Sequence, residues 1–247
     1  MAYSSGNHGG AVALAASLLG IHAVVVVPAT GSPAKLAAIE GYGAEIRRYD
    51  PVTERREEVA AGLARERSLT MIRPFDDYDI MAGQGTLGVE LAEQAGDLGL
   101  VLVPIGGGGL AAGVSTAVKA LLPGAAVIGV EPAGADDTRR SLRAGRRVAL
   151  DTVDTIADGL RASQPGERTF EVNRRLLDDV VTVDDAAIVE AMRFCFTRLK
   201  VVVEPSGAVP LAALLTGAVR ADGRPTAVVL SGGNVDPADF AALLARG

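Results

Sequence analysis

The sequence has very few residues that could form covalent cross-links. Cys195 is the only cysteine among 247 residues. A single thiol excludes an internal disulfide, and it excludes a cysteine-rich metal site built from one chain. Because disulfides form in oxidising compartments, this composition is typical of a protein of the reducing cytoplasm, and we expect a cytoplasmic location.

Long hydrophobic segments and concentrated positive charge are also missing. Apolar runs such as residues 23–28 and 98–105 are far shorter than the roughly 18 residues that a bilayer span requires. The net charge is -6, and the arginines are interspersed with acidic residues. Such a surface repels a polyanion. The sequence therefore predicts neither a membrane segment nor a nucleic-acid partner.

Short β-branched runs alternate along the chain with Ala-, Leu- and Glu-rich segments of helical period. Nearly continuous apolar strands are typical of a parallel sheet that is covered by helices on both faces. The predicted strands are residues 23–27, 45–49, 69–73, 98–105, 126–131, 180–183 and 227–230, and the predicted helices include residues 10–19, 83–95, 110–122 and 185–199.

The strand and helix pattern restarts after residues 74–77. We therefore predict an α/β fold with two open parallel-sheet domains. The smaller domain is expected at residues 1–76 and the larger at residues 77–247.

Four consecutive glycines follow a predicted buried strand and precede a predicted helix; they are Gly106, Gly107, Gly108 and Gly109, and Leu110 opens the helix. Glycine loses more backbone entropy on folding than other residues, so this run suggests that amide groups approach a ligand closely. Free N–H groups and the dipole at a helix start suit a phosphate. The run lacks the Gly-Lys-Ser/Thr of a nucleotide loop and the dinucleotide spacing. A monophosphate ligand is favoured, with a flexible turn as the alternative.

Two other segments place polar side chains beside predicted element ends. Ser231 follows a buried strand and precedes two glycines, so its hydroxyl could bond a heterocyclic nitrogen or simply belong to a turn. Residues 4–9, Ser-Ser-Gly-Asn-His-Gly, precede an alanine-rich helix. Read without context, they are equally typical of a helix N-cap with turn residues.

Several short motifs occur together in a fixed order: residues 4–9 (SSGNHG), 82–86 (AGQGT), 106–109 (GGGG), 155–159 (TIADG), 204–205 (EP) and 230–234 (LSGGN). In this order and spacing the chain resembles fold-type II pyridoxal-phosphate enzymes, in the branch that contains serine racemase and the serine, threonine and hydroxyaspartate dehydratases. The resemblance covers essentially the whole chain. It implies the fold of the tryptophan synthase beta subunit, without the N-terminal part of the large domain.

The resemblance implies that the cofactor is pyridoxal 5'-phosphate. Asn7 would hydrogen-bond the ring hydroxyl, and Ser231 would face the pyridine nitrogen. The backbone of Gly106, Gly107, Gly108, Gly109 and Leu110 would hold the phosphate.

The same resemblance assigns the substrate side of the site. Ser4 and His8 would lie near the substrate carboxylate. Ser5 would contact the substrate and act as a catalytic proton donor or acceptor. Arg56 falls where the racemases have an arginine that can pair with an acidic ligand, although from its charged surroundings it would be a solvated helix residue.

An acidic segment, residues 131–137, resembles the divalent-cation loop of serine racemase. Glu131 and Asp137 would supply carboxylate oxygens and Ala135 a backbone carbonyl, a ligand set that suits Mg or Ca. Without the resemblance, Asp136 and Asp137 would be interpreted as residues that cap an acidic helix start.

Lysine is scarce, and its placement limits the expected chemistry. Lys35, Lys119 and Lys200 are the only lysines, and each lies in a predicted helix away from the glycine run. Family members attach the cofactor through a lysine in a Ser-Phe-Lys-type segment well before the Ser-Ser-Gly-Asn loop. None of the three lysines matches that motif. We therefore expect a fragment of a longer enzyme, nearly inactive by itself.

The resemblance implies an ammonia-lyase or dehydratase acting on L-serine, L-threonine or threo-3-hydroxyaspartate, with serine racemisation as an accompanying activity. Two alternatives stay open. One is a catalytically inactive relic that binds pyridoxal phosphate or a partner, and the other is a β-replacement enzyme of the cysteine synthase type. We expect a small amino-acid substrate, a homodimer when the protein is full length, and no regulatory domain after residue 247.

Overall fold

The computed structural model describes residues 1–31 and 33–245. The chain divides into two compact units, Met1–Pro74 and a second unit that starts at Phe75. The predicted end of the large domain, Gly247, lies outside the described residues. Each unit consists of a parallel sheet with helices, which confirms the predicted α/β class.

In its described residues, 1–31 and 33–74, the first unit contains three strands and three helices. Its elements are β1 (Ala2–Tyr3), α1 (Asn7–Leu18), β2 (Val24–Pro28), α2 (Pro33–Gly41), β3 (Glu45–Tyr49) and α3 (Arg56–Glu66). The strand order is β1-β2-β3, and both pairings are parallel.

The central strand β2 explains the run of valines in the sequence. Val25 and Val27 pack with Leu36 and other residues on one face of the sheet, whereas Val24 and Val26 pack with Ala60 on the other. Because both faces are covered, apolar residues occur at successive positions and not at alternate ones.

Two sequence-based boundaries in the first unit are wrong. Helix α1 begins at Asn7 and not at Gly10, which brings two of the candidate site residues into its first turn. Residues 69–73 do not form a strand. The terminal ammonium group of Met1 donates to the Thr70 carbonyl at 2.8 Å, and the Ile72 N–H donates to the Met1 carbonyl at 2.7 Å. These two bonds hold residues 70–72 beside Met1, the residue that precedes β1, without a strand pairing.

The second unit contains a four-stranded sheet. Its elements are α4 (Tyr78–Gln94), β4 (Leu100–Pro104), α5 (Gly109–Leu121), β5 (Ala126–Pro132), α6 (Asp137–Ala144), α7 (Glu167–Leu176), β6 (Asp179–Val183), α8 (Asp185–Phe194), α9 (Pro205–Leu215), β7 (Thr226–Val228) and α10 (Pro237–Leu244). The strand order is β6-β5-β4-β7, and every pairing is parallel.

Helices cover this sheet on both faces. Leu100 and Leu102 of β4 belong to the cluster formed with α8 and α9, whereas Val101 and Val103 belong to the cluster formed with α5. Among the described residues, no helix is both long enough and apolar enough to cross a bilayer.

Two boundaries differ in the second unit as well. The helix predicted at residues 185–199 is α8 followed by one π-helical turn, Cys195–Leu199, which ends at Lys200 in a left-handed conformation with φ of 61°. Strand β7 ends at Val228 and not at Leu230, because its pairing with β4 stops at Leu102. Ser231 therefore lies three residues beyond the strand.

Helices α4 and α5 cross at a point where glycine permits close approach. A Cβ atom added to Gly113 would lie 2.2 Å from the Met81 carbonyl oxygen. One added to Gly83 on α4 would meet nothing within 4 Å.

We predict that Gly113→Ala lowers the free energy of unfolding by about 1–3 kcal/mol, because overpacking forces the two helices apart. Gly83→Ala should leave it unchanged or raise it by up to about 1 kcal/mol, since alanine is the better helix former. Urea unfolding followed by circular dichroism measures both changes. Equal effects of the two substitutions would contradict the close packing at Gly113.

Candidate active site

Three loops of the second unit leave the same edge of its sheet. Strands β5, β4 and β7 are adjacent and parallel, so their carboxyl ends lie side by side. Residues 131–137, the glycines 106–109 and the segment with Ser231 follow these strands in turn. Open α/β sheets bind ligands at this edge.

The glycines at residues 106–109, here called the glycine loop, lie in close contact with their surroundings. A Cβ atom on Gly107 would be 2.3 Å from the ring of Phe75, and one on Gly108 would be 2.7 Å from Nδ2 of Asn173. Gly108 also has φ of 93°, a left-handed conformation that side chains disfavour. The glycines are therefore required by close approach as well as by backbone conformation.

The carbonyl groups of the glycine loop are held from one side. The Gly107 carbonyl accepts from Thr169 Oγ1 at 2.7 Å and from the Gly166 N–H at 3.3 Å. The Gly108 carbonyl accepts from Asn173 Nδ2 at 3.1 Å and from the Ala112 N–H at 2.9 Å.

The N–H groups of residues 106–109, in contrast, have no acceptor within the described part of the chain. Free amides at the start of α5, together with the helix dipole, form a site for an anion. This arrangement fits the phosphate of the expected cofactor.

Ser231 lies near the glycine loop through a chain of contacts. Its side chain is exposed and has no hydrogen-bond partner among the described residues, so its hydroxyl is available to a ligand. A Cβ atom on Gly106 would lie 3.0 Å from the Leu160 Cα. The neighbouring Gly159 N–H donates to Ser206 Oγ at 2.9 Å, and the Glu204 N–H donates to the Gly232 carbonyl, next to Ser231, at 3.0 Å.

A pair of buried carboxylates lies at the carboxyl end of β5, with Glu131 in the strand and Asp137 at the start of α6. Glu131 and Asp137 are both 0% exposed. The two Glu131 oxygens accept from the N–H groups of Thr138 and Arg139, each at 2.9 Å. Neither oxygen of Asp137 has a hydrogen-bond partner.

Burial dominates the acidity of this pair. It raises the pKa of Glu131 to about 8, with the charge of Asp137 as the next contribution and the two backbone hydrogen bonds opposing. Burial likewise raises the pKa of Asp137 to about 7, and the charge of Asp136 adds to it. Two buried carboxyl groups that repel each other, one of them without any hydrogen-bond partner, favour protons or a cation.

The alternative interpretation, an acidic helix start, agrees with the positions of these residues, since Asp136 is the N-cap residue of α6 and Asp137 lies in its first turn. Asp136 accepts no cap hydrogen bond, however, and its carboxylate pairs with Arg140 at 2.8 Å. Ala135 is buried in the 3-10 turn Ala133–Ala135, between the two carboxylates in sequence. No group of three or more His, Cys, Asp or Glu side chains among the described residues could hold a metal ion. A cation here would need backbone carbonyls and water as further ligands.

The predicted substrate residues of the first unit lie between β1 and the first turn of α1. Gly6 is the N-cap residue, and Ser4 Oγ accepts from its N–H at 3.3 Å. Ser5 is half-buried, and Asn7 is exposed in the first turn. None of these side chains makes a cap hydrogen bond, whereas the bond from the Gly6 N–H to Ser4 agrees with the turn part of the alternative interpretation.

His8 is fixed by a backbone carbonyl. Its Nε2 lies 3.1 Å from the Ile72 oxygen, and a carbonyl can only accept, so Nε2 carries a proton. Burial lowers the pKa of His8, with the hydrogen bond to Ile72 opposing. The neutral ring then presents Nδ1 as an acceptor. Binding a substrate carboxylate through Nδ1 would require a protonated ring.

Arg56 is the first residue of α3. Its Nε lies 2.7 Å from Glu57 Oε1, and its guanidinium lies over the ring of Tyr3 at 5.8 Å. The side chain is half exposed, so it can exchange Glu57 for another carboxylate.

Two of the three lysines have structural partners within the second unit. Lys119 Nζ donates to the Ala125 carbonyl at 2.8 Å and pairs with Asp178 at 2.7 Å, ten residues along α5 from Gly109. Lys200 Nζ donates to the Thr197 carbonyl at 2.8 Å. Lys35 lies on α2 of the first unit.

Sequence reasoning missed the residues that support the glycine loop, namely Phe75, Thr169 and Asn173. Two buried polar residues at a spacing of four on α7 were the available signal. Their partners are backbone atoms 62 and 65 residues away, so no local pattern identifies the contact.

Comparison with known proteins places these features in a family. Residues 1–232 match the model of the family described as pyridoxal-phosphate dependent enzyme. The L-threo-3-hydroxyaspartate ammonia-lyase of Saccharomyces cerevisiae is 43% identical over 244 residues, which span 99% of this chain and 75% of the yeast protein.

Solved structures give the same assignment. A threonine deaminase from the organism abbreviated T.th. superposes with a TM-score of 0.89 at 50% identity, covering 95% of this chain and 77% of that one. Maize serine racemase superposes with a TM-score of 0.93 at 42% identity, covering 99% and 76%. The chain belongs to the pyridoxal-phosphate-dependent enzymes of fold-type II, in the branch of the ammonia-lyases and serine racemases.

Proposed function

We propose that the protein is an ammonia-lyase that converts L-serine, L-threonine or L-threo-3-hydroxyaspartate to a 2-oxo acid and ammonia, with racemisation of serine as an accompanying activity. The observation that carries the proposal is the high identity, across nearly the whole chain, to relatives that are named for this chemistry. The free amides of the glycine loop support it independently, because they suit the phosphate of the family's cofactor.

Each cofactor-binding residue has a defined task in this proposal. Bound pyridoxal phosphate supplies an electron sink for the α-carbon of the amino acid. The amides of residues 106–109 and Leu110 bind the phosphate, and the Asn7 amide bonds the ring hydroxyl. Ser231 offers the ring nitrogen a neutral hydroxyl. A hydroxyl, unlike a carboxylate, does not hold a proton on that nitrogen, which favours early loss of the β-hydroxyl group over competing reactions.

Ser4 and Ser5 handle the substrate. Because Ser4 Oγ accepts from the Gly6 N–H, its own hydrogen is free to donate to a substrate carboxylate. Ser5 donates or accepts a proton at the α-carbon, as a hydroxyl group in contact with the substrate can. His8 contributes to the carboxylate site in its protonated form, and Arg56 pairs with the second carboxylate of an acidic substrate.

The lysines define the main alternative. Lys119 and Lys200 are engaged by partners within the second unit, away from the glycine loop, so neither offers an amine there for covalent attachment of the cofactor. We expect little turnover from residues 1–247 alone. This observation favours, as a second candidate, a protein that binds pyridoxal phosphate without catalysis. A β-replacement enzyme is disfavoured by the carboxylate pair that follows β5.

The native protein, purified from its own cells, tests the lyase proposal. Its intact mass and N-terminal peptides define the chain that is present, and 2-oxo acid and ammonia are then measured with each of the three hydroxy amino acids. We predict release from at least one of them. Ser5→Ala should lower kcat for racemisation by about 100-fold or more and spare binding, since general acid–base catalysis contributes about that much. Bound cofactor without any 2-oxo acid would instead establish the non-catalytic candidate.

We also propose that Glu131, Asp137 and the Ala135 carbonyl hold Mg or Ca. The buried, unpaired oxygens of Asp137 support this, because a divalent cation would neutralise both carboxylates at once. The cation stabilises the fold and lies outside the reaction steps assigned above.

We predict that Mg or Ca raises the melting temperature relative to a chelator, with a free-energy gain of about 2.7 kcal/mol at 100 times the dissociation constant. The gain should be larger at pH 8 than at pH 6, since protons compete for the carboxylates below their raised pKa values of about 7 and 8. Without the cation, the contribution of these two carboxyl groups to stability is largest below about pH 4 and falls between about pH 4 and pH 8 as their protonation is lost.

Asp137→Asn should remove the response to the cation and make the metal-free protein more stable at pH 8. Asp136→Asn is the matched control, because its carboxylate pairs with Arg140 and is not among the proposed ligands, so the cation response should persist. A cation response that survives in Asp137→Asn would refute the site.

Two further proposals follow from the resemblance, a cytoplasmic location and a homodimeric native protein. Light scattering of the purified native protein measures the second of these. A monomer at micromolar concentration would contradict it.

A further inference from the structure

Helix α7 presents two buried polar side chains to the glycine loop. Thr169 and Asn173 are both 0% exposed and lie one turn apart on the same face. Thr169 Oγ1 donates to the Gly107 carbonyl at 2.7 Å, and Asn173 Nδ2 donates to the Gly108 carbonyl at 3.1 Å.

Each of these bonds sets the direction of an amide hydrogen. In a planar trans peptide group the C=O and the following N–H point in opposite directions. Holding the Gly107 carbonyl towards Thr169 therefore directs the Gly108 N–H away from α7. In the same way, the bond from Asn173 directs the Gly109 N–H. Four consecutive glycines have many backbone conformations available, and these two anchors select one.

The N-terminal end of α7 is fixed as well. Asp76 Oδ1 accepts from the N–H groups of Arg168 at 2.8 Å and Thr169 at 3.3 Å, although Asp76 is 93 residues from Thr169 in sequence. The preceding residue, Phe75, packs against the loop glycines. The same short segment therefore locates both the helix and the loop.

Stability of the fold does not by itself account for Asn173. Its Oδ1 is buried without a hydrogen-bond partner, an unfavourable arrangement that an apolar residue of similar size would avoid. What asparagine provides at this position, and an apolar residue would not, is the Nδ2 donor to the Gly108 carbonyl.

We propose that Thr169 and Asn173 are positioning residues for the cofactor phosphate: they aim the Gly108 and Gly109 amides and so determine how strongly the site distinguishes a phosphorylated ligand from an unphosphorylated one. The inference rests on the proposed function, because the ligand is the phosphate of pyridoxal phosphate. Neither side chain contacts the phosphate itself; both act through the backbone of the glycine loop.

The test compares two ligands on the full chain, pyridoxal 5'-phosphate and pyridoxal, by equilibrium binding. The measured quantity is the dissociation constant of pyridoxal divided by that of pyridoxal 5'-phosphate. This ratio isolates the contribution of the phosphate to binding. Thr169→Val and Asn173→Leu keep the approximate side-chain volume and remove the donor. Each should reduce the ratio about tenfold, the size expected for weakening one hydrogen bond to a charged group.

Two variants serve as controls. Thr169→Ser keeps the hydroxyl, so the ratio should remain near that of the wild type. Phe170→Leu alters a buried residue of the same helix that makes no hydrogen bond to the loop, so it should lower the melting temperature and leave the ratio unchanged. Asn173→Ala replaces Asn173→Leu if the leucine variant does not fold.

The possible results distinguish the proposed cofactor site from the positioning role of Thr169 and Asn173. A wild-type protein without preference for the phosphorylated ligand would overturn the proposed cofactor site and this inference together. A preference that Thr169→Val and Asn173→Leu retain would overturn only the positioning role. If Phe170→Leu reduced the preference for the phosphorylated ligand by the same factor, the positioning role would also be overturned, because the effect would then come from a general disturbance of α7. A reduced preference for the phosphorylated ligand in Thr169→Val and Asn173→Leu alone supports the proposal.

Discussion

The peptide groups of the glycine loop have to satisfy two opposite requirements, and much of the second unit is arranged around them. Their carbonyls lie at a buried sheet edge and need donors, whereas their amides have to stay free for an anion. Thr169, Asn173 and the Gly166 N–H supply the donors from one side. The opposite side is left to the ligand. Side chains on residues 107–109 would collide with Phe75 or Asn173, and one on Gly106 would press against Leu160, which explains why four glycines are present despite their cost in backbone entropy.

The two buried carboxylates at the end of β5 also have different roles, one binding the backbone and the other left open to a ligand. Glu131 uses both of its oxygens to hold the start of α6, through the N–H groups of Thr138 and Arg139. Asp137, in the first turn of that helix, is left with unpaired oxygens in a buried place. Buried charge without a partner is unfavourable, so the segment is most stable with protons or a cation bound. The two sites proposed at this sheet edge would thus have opposite charge preferences, an anion at the glycine loop and a cation at Glu131 and Asp137.

Local sequence was sufficient for the elements that are apolar on both faces. The valines of β2 and the residues of β4 predicted buried parallel strands, and the structure confirms them. It was insufficient where backbone pairing ends. Residues 69–73 look like a strand but make two bonds to Met1, and the pairing of β7 with β4 ends at Val228 although β4 itself continues to Pro104. The end of a strand depends on how it lies against its partner, which the local sequence does not show.

The features of the candidate site also fall into those that the local sequence predicts and those that it does not. The sequence by itself determined the α/β class, the glycine loop and its suitability for a phosphate, and the motif order that identifies the family. Only the tertiary structure decided which side chains direct the loop amides, that His8 donates to the Ile72 carbonyl, and that Asp137 is buried without a partner. The physical reason is distance along the chain. Glycine spacing and apolar runs are local properties, whereas an anchor 62 residues away, or the desolvation of a carboxylate, exists only after the strands have brought remote segments together.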